Sequence, residues 1–354
     1  MRVAIVGFPY SGKTAVFTAV SGLPRDHIKH SEENLAAVHI PEPRLDFLFE
    51  LFKPKRKNEA SIDFVDLPGS AEGDVQHAGL TKHLPTLRQS DMLLVVLRAF
   101  SAESVPAHGN RIDPRDDLRQ LRDEMLLADI EICAGRIQKL EKVVVKPTKD
   151  QDLNRRELAL LKECQDALEN ERPLSSFIKP GEQEKMLRSF GFLTQKPVGL
   201  ILNIDESEIG KEPVFHDPHA VVTFAICALL ESDLLQMDAA ERAPFMAEYG
   251  VSALARDRIV RACFDGLGLI TFLTGGGPDE VRAWSIPRNS TALDAAGKIH
   301  TDMARGFIRA ETVAFDDLYK AGSMREAKAA GFIRQEHKHY IVQDGDVITF
   351  KFNV

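Results

Sequence analysis

Arg2-Val3-Ala4-Ile5-Val6-Gly7-Phe8-Pro9-Tyr10-Ser11-Gly12-Lys13-Thr14-Ala15-Val16-Phe17-Thr18-Ala19-Val20 is the stretch on which the fold turns. Val3 to Val6 read as a buried strand, and Thr14 to Val20 can continue as a helix. Between them, Gly7 to Thr14 spells GxxxxGK[ST]. Glycines are needed there because backbone N–H groups in the loop and at the helix N-terminus face phosphates, where side chains would crowd them. Lys13 supplies a positive charge for the β- and γ-phosphates, and the Thr14 hydroxyl is an oxygen ligand suited to magnesium. The strand–loop–helix context separates this match from an incidental glycine turn beside a lysine. The expected nucleotide contacts are Tyr10, Ser11, Gly12, Lys13, Thr14 and Ala15, with Lys13 also the catalytic cation.

Working outward, Ser61–Asp66, Met92–Leu97, Val198–Ile204 and Val221–Ile226 read as further buried parallel strands. The aromatic run Phe47 to Phe52 begins a helix that would continue the αβ alternation. The fold class is α/β: a doubly wound, mostly parallel sheet with helices on both faces. From Asp113 to about Pro180 the pattern changes. Leu118, Leu121, Met125, Ala128 and Ile132 recur at helical spacing, Lys146 to Lys149 breaks the run, and Leu158, Leu161, Cys164 and Leu168 resume it. This predicts an inserted antiparallel helical hairpin.

Thr274-Gly275-Gly276-Gly277-Pro278 is a breaker cluster, and the chain beyond it reads as a small separate module. Its last part predicts a hairpin of Tyr340–Val342 and Val347–Phe352 about the turn Asp344-Gly345-Asp346. The expected organisation is a nucleotide domain at 1–112, the hairpin at 113–194, the second part of the nucleotide domain at 195–277, and a small β-rich α+β domain at 278–354.

A length of 354 residues suits two or three domains, and 44% apolar with 28% charged residues suits a soluble protein. The net charge of -8 argues against a protein that coats nucleic acid, so no DNA partner is expected. A local basic face for RNA stays open. None of the four cysteines forms a CxxC or zinc-type pair. No leader is expected, since the chain runs straight into the first strand, and the apolar runs are far short of a bilayer span. A cytoplasmic protein without membrane association is expected.

Two further motifs sit at strand ends. Asp66-Leu67-Pro68-Gly69 has the spacing DxxG, in which the aspartate serves magnesium and the Gly69 N–H meets the γ-phosphate. Asn203-Ile204-Asp205-Glu206 occupies the place of a guanine-reading NKxD. Ile204 replaces the lysine that would stack on the base, and Glu206 replaces the aspartate with a side chain one methylene longer. Guanine selectivity is therefore not expected. Asp205 meets the base only if the loop slips by one residue; otherwise the loop contacts it through Asn203, Ile204 and Glu206, or touches no base at all.

Assembled, these residues resemble the YchF/Obg-like ATPase family, and the likeness covers nearly the whole chain. Val38–Asp46 is similar to the family's VPVPDxRLD segment, Ile62–Gly69 to its DxxG strand, and Leu127–Glu131 to its LADLE run. Gly277–Trp284, Ala295–Asp302, Arg305–Glu311 and Tyr340–Asp346 look like the family's C-terminal TGS domain. The resemblance implies ATP over GTP, Mg2+, and association with ribosomes or structured RNA through the TGS domain and the helical arm. It also implies hydrolysis of ATP as a conformational switch.

The chain departs from the family pattern in places. Tyr10 and Ser11 stand where the family has Asn and Val. The magnesium-closing threonine is absent around Ile28, Lys29 and His30, which leaves Ser31 as the nearby hydroxyl. Ser70 replaces a leucine. Ser70 and His77 are the polar groups available to orient an attacking water. Two alternatives remain: a nucleotide-responsive RNA or ribosome adaptor using Arg282, Lys298, His300, Arg305 and Arg309 around Trp284, and a GTP switch.

Overall fold

Strand β1 (Arg2–Val6) has its last four residues buried, as a strand flanked on both edges and both faces must. The computed structural model describes residues 1–68, 80–145, 149–179, 181–211 and 215–353; the expectations for Gly69, Ser70 and His77 fall outside the described residues. Helix α1 (Lys13–Ser21) follows and stops at Gly22, whose φ of 73° suits glycine. Next come β2 (Asn34–His39), α2 (Pro43–Phe52), β3 (Arg56–Asn58), β4 (Ser61–Asp66), α3 (Leu84–Gln89) and β5 (Met92–Arg98). Helices α4 (Pro114–Val143), α5 (Gln151–Glu169) and α6 (Glu182–Leu187) lead to β6 (Val198–Asn203), β7 (Val222–Ile226) and α7 (Ala228–Gln236). Beyond α8 (Ala239–Glu248) and α9 (Ala255–Gly266) run β8 (Leu269–Thr274), β9 (Glu280–Pro287), β10 (Phe307–Ala314), β11 (Arg334–Glu336) and β12 (Asp346–Phe352), with short helices between them.

The first sheet has the order β2-β4-β1-β5-β6-β7, and β1, β4, β5, β6 and β7 pair in parallel. All seven residues of β5 are buried, which explains its unbroken apolar run. The register sets Ile5 beside Asp66, Val6 beside Val95 and Arg98 beside Asn203. The carboxyl ends of β4 and β6 therefore flank the loop after β1 from opposite sides, the usual ligand crevice of such a sheet.

Helix α4 begins where Asp113 accepts hydrogen bonds from the N–H groups of Arg115 and Asp116, with Pro114 in the first turn. Its first half buries Leu118, Leu121 and Met125 in the sheet core. Its second half turns Cys133, Ile137 and Leu140 toward Leu160, Leu161, Cys164 and Leu168 of α5, forming the expected hairpin. Asp129 sits at the junction, fully buried. It accepts hydrogen bonds from Leu193 N at 3.0 Å, Thr194 N at 2.8 Å and Thr194 Oγ1 at 2.8 Å, with Arg88 at 3.3 Å.

The chain folds as two units, Met1–Ala36 with Asp63–Ile259, and Ala37–Ile62 with Val260–Val354. The second holds a sheet of order β11-β10-β12-β8-β9-β3. Three expectations change there. Helix α2 forms, but Leu45 and Leu48 bury with Leu273, Val281 and Val347, so it does not continue the parallel alternation. The glycine cluster at 275–277 joins the antiparallel pair β8 and β9 inside this unit, because the apolar run Leu269–Leu273 needs a sheet on both sides. The hairpin about Gly345 is not made: Ile341 contributes only an isolated bridge to Thr291, and β12 pairs with β10 and β8. Asp346 takes the donors of that turn instead, accepting from Tyr340 Oη and Gln343 N at 2.8 and 2.9 Å.

Candidate functional site: a phosphate loop and its cleft

The loop after β1 is shaped by close backbone approach. A Cβ on Gly7 would lie 2.4 Å from the Val96 carbonyl, and one on Gly12 would lie 2.1 Å from Asn203 Nδ2. Neither position admits a side chain. Between them, Ser11 N donates to Phe8 O at 3.3 Å, closing a turn with Pro9 second and Tyr10 third. Tyr10 has φ 62°, as the third residue of a type II turn requires. The Phe8 ring is buried and stacks on His108 at 3.7 Å between centroids.

Asn203 holds this loop from beneath. Its Nδ2 donates to the Ser11 carbonyl at 3.0 Å, and its Oδ1 accepts from Ala228 N at 3.1 Å. One buried amide thus ties β6, the loop and the start of α7 together. Ile204 packs in the sheet core, Asp205 accepts from Ser101 N at 3.0 Å, and Glu206 is exposed. Of the four residues expected near a base, the first two point inward and Glu206 alone faces solvent freely.

Two side chains at the start of α1 meet charge. Lys13 folds back so that Nζ donates to Phe8 O at 3.0 Å. Enclosure pushes its pKa down to about 8, opposed by the nearby Asp66 carboxylate. Thr14 Oγ1 donates to Asp66 Oδ2 at 3.0 Å, linking α1 to the end of β4. Asp66 is 2% exposed, and its Oδ1 has no hydrogen-bond partner among the described residues. Burial raises the Asp66 pKa, against the pull of Thr14, Lys13, Asn34 and His30. A buried carboxylate oxygen without a donor, beside a hydroxyl, is a donor set for a hard divalent cation.

An open cleft of about 700 Å³ lies over these groups, lined by the loop, Lys29 to Ser31, Asp66 to Pro68 and Lys82. It brings Tyr10, Gly12, Lys13, Thr14, Ala15, Ser31 and Asp66 into one site; Ser11 is buried beneath it, and the segment 203–206 does not line it. Two residues that belong to no motif also shape the site. Lys82 follows the DxxG segment with no motif of its own. Asn34 clips the loop that carries Ser31: its side chain bonds both the N–H and the carbonyl of Lys29, each at 2.9 Å. A smaller cavity of about 290 Å³ runs along β7, away from the phosphate loop.

In the second unit, the Arg282 guanidinium stacks 4.0 Å above the Trp284 ring, whose Nε1 donates to Thr274 Oγ1 at 3.0 Å. His300 and Arg305 both reach Asp302, and Arg309 reaches Glu311. Three of the five groups expected in a basic face therefore end on carboxylates. No helix among the described residues is long and apolar enough to cross a membrane.

Known proteins give consistent matches. Residues 269–353 match the family model YchF-GTPase_C, described as a protein of unknown function, and residues 2–131 match that of the 50S ribosome-binding GTPases. The chain is 35% identical to the ribosome-binding ATPase YchF of Bacillus subtilis over 368 residues, covering 100% of both. It is equally 35% identical to Obg-like ATPase 1 of Oryza sativa subsp. japonica, covering 100% of this chain and 92% of the relative. The solved structure of the Schizosaccharomyces pombe YchF GTPase superimposes with a TM-score of 0.83 at 25% identity, covering 99% of this chain and 97% of that one.

Proposed function

The chain belongs to the YchF/Obg-like ATPase family, and on that premise we propose that it binds and hydrolyses Mg-ATP at the Gly7–Thr14 loop and uses the nucleotide state to regulate ribosome binding. The observation that carries this reading is the pairing of Thr14 with Asp66 across α1 and β4, with Lys13 in the same cleft. Thr14, Asp66 and Ser31 would hold the magnesium ion, whose chemistry is to neutralise phosphate charge. Lys13 exchanges the Phe8 carbonyl for the β- and γ-phosphates, and the loop N–H groups hold the remaining phosphate oxygens. For Gly69, Ser70 and His77, which lie outside the described residues, the proposed roles are an N–H contact to the γ-phosphate for the first and orientation of the attacking water for one of the other two. Catalysis by such a site is positioning and charge, with little work for a side-chain base.

ATP over GTP is supported by Ile204, which is buried and cannot stack on a base, and by Glu206 in place of the guanine-reading aspartate. The ribosome partner is supported by the names of the relatives, and it carries a cytoplasmic location with it. Competition between ATP and GTP for the wild-type protein tests the nucleotide, and co-sedimentation with ribosomes, with and without ATP, tests the partner. A clear GTP preference would overturn the first claim; nucleotide-independent sedimentation would overturn the regulation.

The adaptor reading draws on the Arg282 guanidinium, held over the Trp284 ring that itself stacks with Phe272 and packs against the core, as a planar cation of the kind that meets RNA bases. Salt-sensitive RNA binding lost in Trp284→Ala, together with turnover that ribosomes do not raise, would favour it.

A further inference from the structure

Lys82 is held at the cleft by anchors on both sides. Leu80 opens the short turn Leu80–His83; its side chain is buried, and its N–H donates to Glu124 Oε2 at 2.6 Å. At the other end His83 is half-buried beside Pro68. Between them Lys82 is exposed and lines the phosphate cleft with Lys13, Asp66 and Pro68.

We infer that Lys82 is the second cationic contact to the terminal phosphate of the bound nucleotide, and that it makes the site prefer a triphosphate to a diphosphate. This rests on the reading of the loop as an ATP site. Topology says which end of the nucleotide Lys82 meets. β4 and β6 lie on opposite sides of β1 in the sheet order, so residues after β4 and residues after β6 flank the loop from opposite sides. Lys82 lies with Asp66 and Pro68, on the β4 side, where the oxygen donors for the cation are; the segment 203–206, which stands in the place of a base-reading motif, follows β6.

Charge says why it matters. Lys29 also lines the cleft but is paired with Glu32 at 2.8 Å. Lys13 sits at the floor, its ammonium on Phe8 O. Lys82 is exposed in the cleft and has no carboxylate partner among the described residues. A charge-assisted contact made to the γ-phosphate alone changes affinity by roughly ten-fold. It does so only for ligands that carry that phosphate.

The test titrates the full-length protein with Mg-ADP and with a non-hydrolysable Mg-ATP analogue, comparing wild type, Lys82→Met, Lys82→Arg and Lys13→Ala. Lys82→Met should weaken the triphosphate analogue roughly ten-fold and leave ADP within about two-fold, and Lys82→Arg should restore most of the loss. Unchanged triphosphate affinity in Lys82→Met, or an equal loss for both nucleotides, would overturn the assignment. The two readings fail differently. A wild type that binds neither nucleotide sinks the ATP site itself, whereas a wild type that binds both while Lys82→Met matches it sinks Lys82 alone.

Discussion

Tyr10 shows how one residue can be at odds with its backbone. Its φ of 62° belongs to the left-handed region, where a bulky side chain is disfavoured and asparagine or glycine is at ease. Tyr10→Asn should raise stability by about 1 kcal/mol in urea denaturation, a gain expected from relief of that strain. No gain would mean the ring makes compensating contacts. Lys13 carries a pH signature. Its pKa is about 8 in the folded protein against 10.5 ordinarily. Between those values the unfolded chain binds the extra proton, so this group makes stability rise with pH across that window and adds no slope below it. Nucleotide binding has the opposite sign, because the phosphates need the ammonium. ATP affinity should hold steady up to about pH 8 and fall above it; titrations at stepped pH that stay flat to pH 10 would contradict the role. At this scale Gly12, Lys13 and Thr14 could be singled out from the sequence because such a loop has fixed spacing, and the structure brings them to one cleft. Lys82 and Asn34 could not, since a surface lysine and a loop asparagine have no pattern until the fold brings them to the cleft. Asn203 was found for its position, while its hydrogen bonds to Ser11 and Ala228 show a supporting task the motif does not spell out.

Elements register the same forces over longer stretches. β1, β5 and β6 could be read directly because a strand covered on both faces is a short continuous apolar run. Helix α2 and the β8–β9 pair were misassigned for a different reason: local apolarity says that a segment is buried, not against which partner. The join of β6, loop and α7 through Asn203 gives a test. Asn203→Ala leaves the Ser11 carbonyl and the Ala228 N–H without their buried partner and should cost about 2–3 kcal/mol of stability. It should weaken ATP and GTP by the same factor, since the amide holds the loop; a selective change in one nucleotide would mean that it reads the base. The helical arm is pinned at Asp129, whose carboxylate receives three hydrogen bonds from Leu193 and Thr194 and faces Arg88. Asp129→Ala should lose about 3 kcal/mol or more, and Asp129→Asn clearly less, because the amide oxygen still accepts. Equal losses in urea denaturation would show that the charge, not the acceptor geometry, matters.

At the scale of the whole molecule, the second unit is assembled from two separate stretches of chain, 37–62 and 260–354. Its first stretch is far from the rest in sequence, so the glycine cluster alone suggested a boundary that the sheet ignores. A truncation after Gly277 would remove β9, β10, β11 and β12 while leaving β8 and α2, with Leu45, Leu48 and Leu273 stripped of their partners. That protein should aggregate or be cleaved rapidly in limited proteolysis; a soluble, protease-resistant product would show that the remainder folds without the sheet. Ribosome binding is therefore better probed by point substitutions than by this deletion. The central claim, that the loop from Gly7 to Thr14 binds the phosphates of ATP through Lys13, meets its most direct test in one titration. A fluorescent ATP analogue is added with Mg2+ to wild type and to Lys13→Ala. The expected result is saturable, magnesium-dependent binding by wild type and a loss of roughly a hundred-fold or more in the variant. Binding by Lys13→Ala within a few-fold of wild type would contradict it.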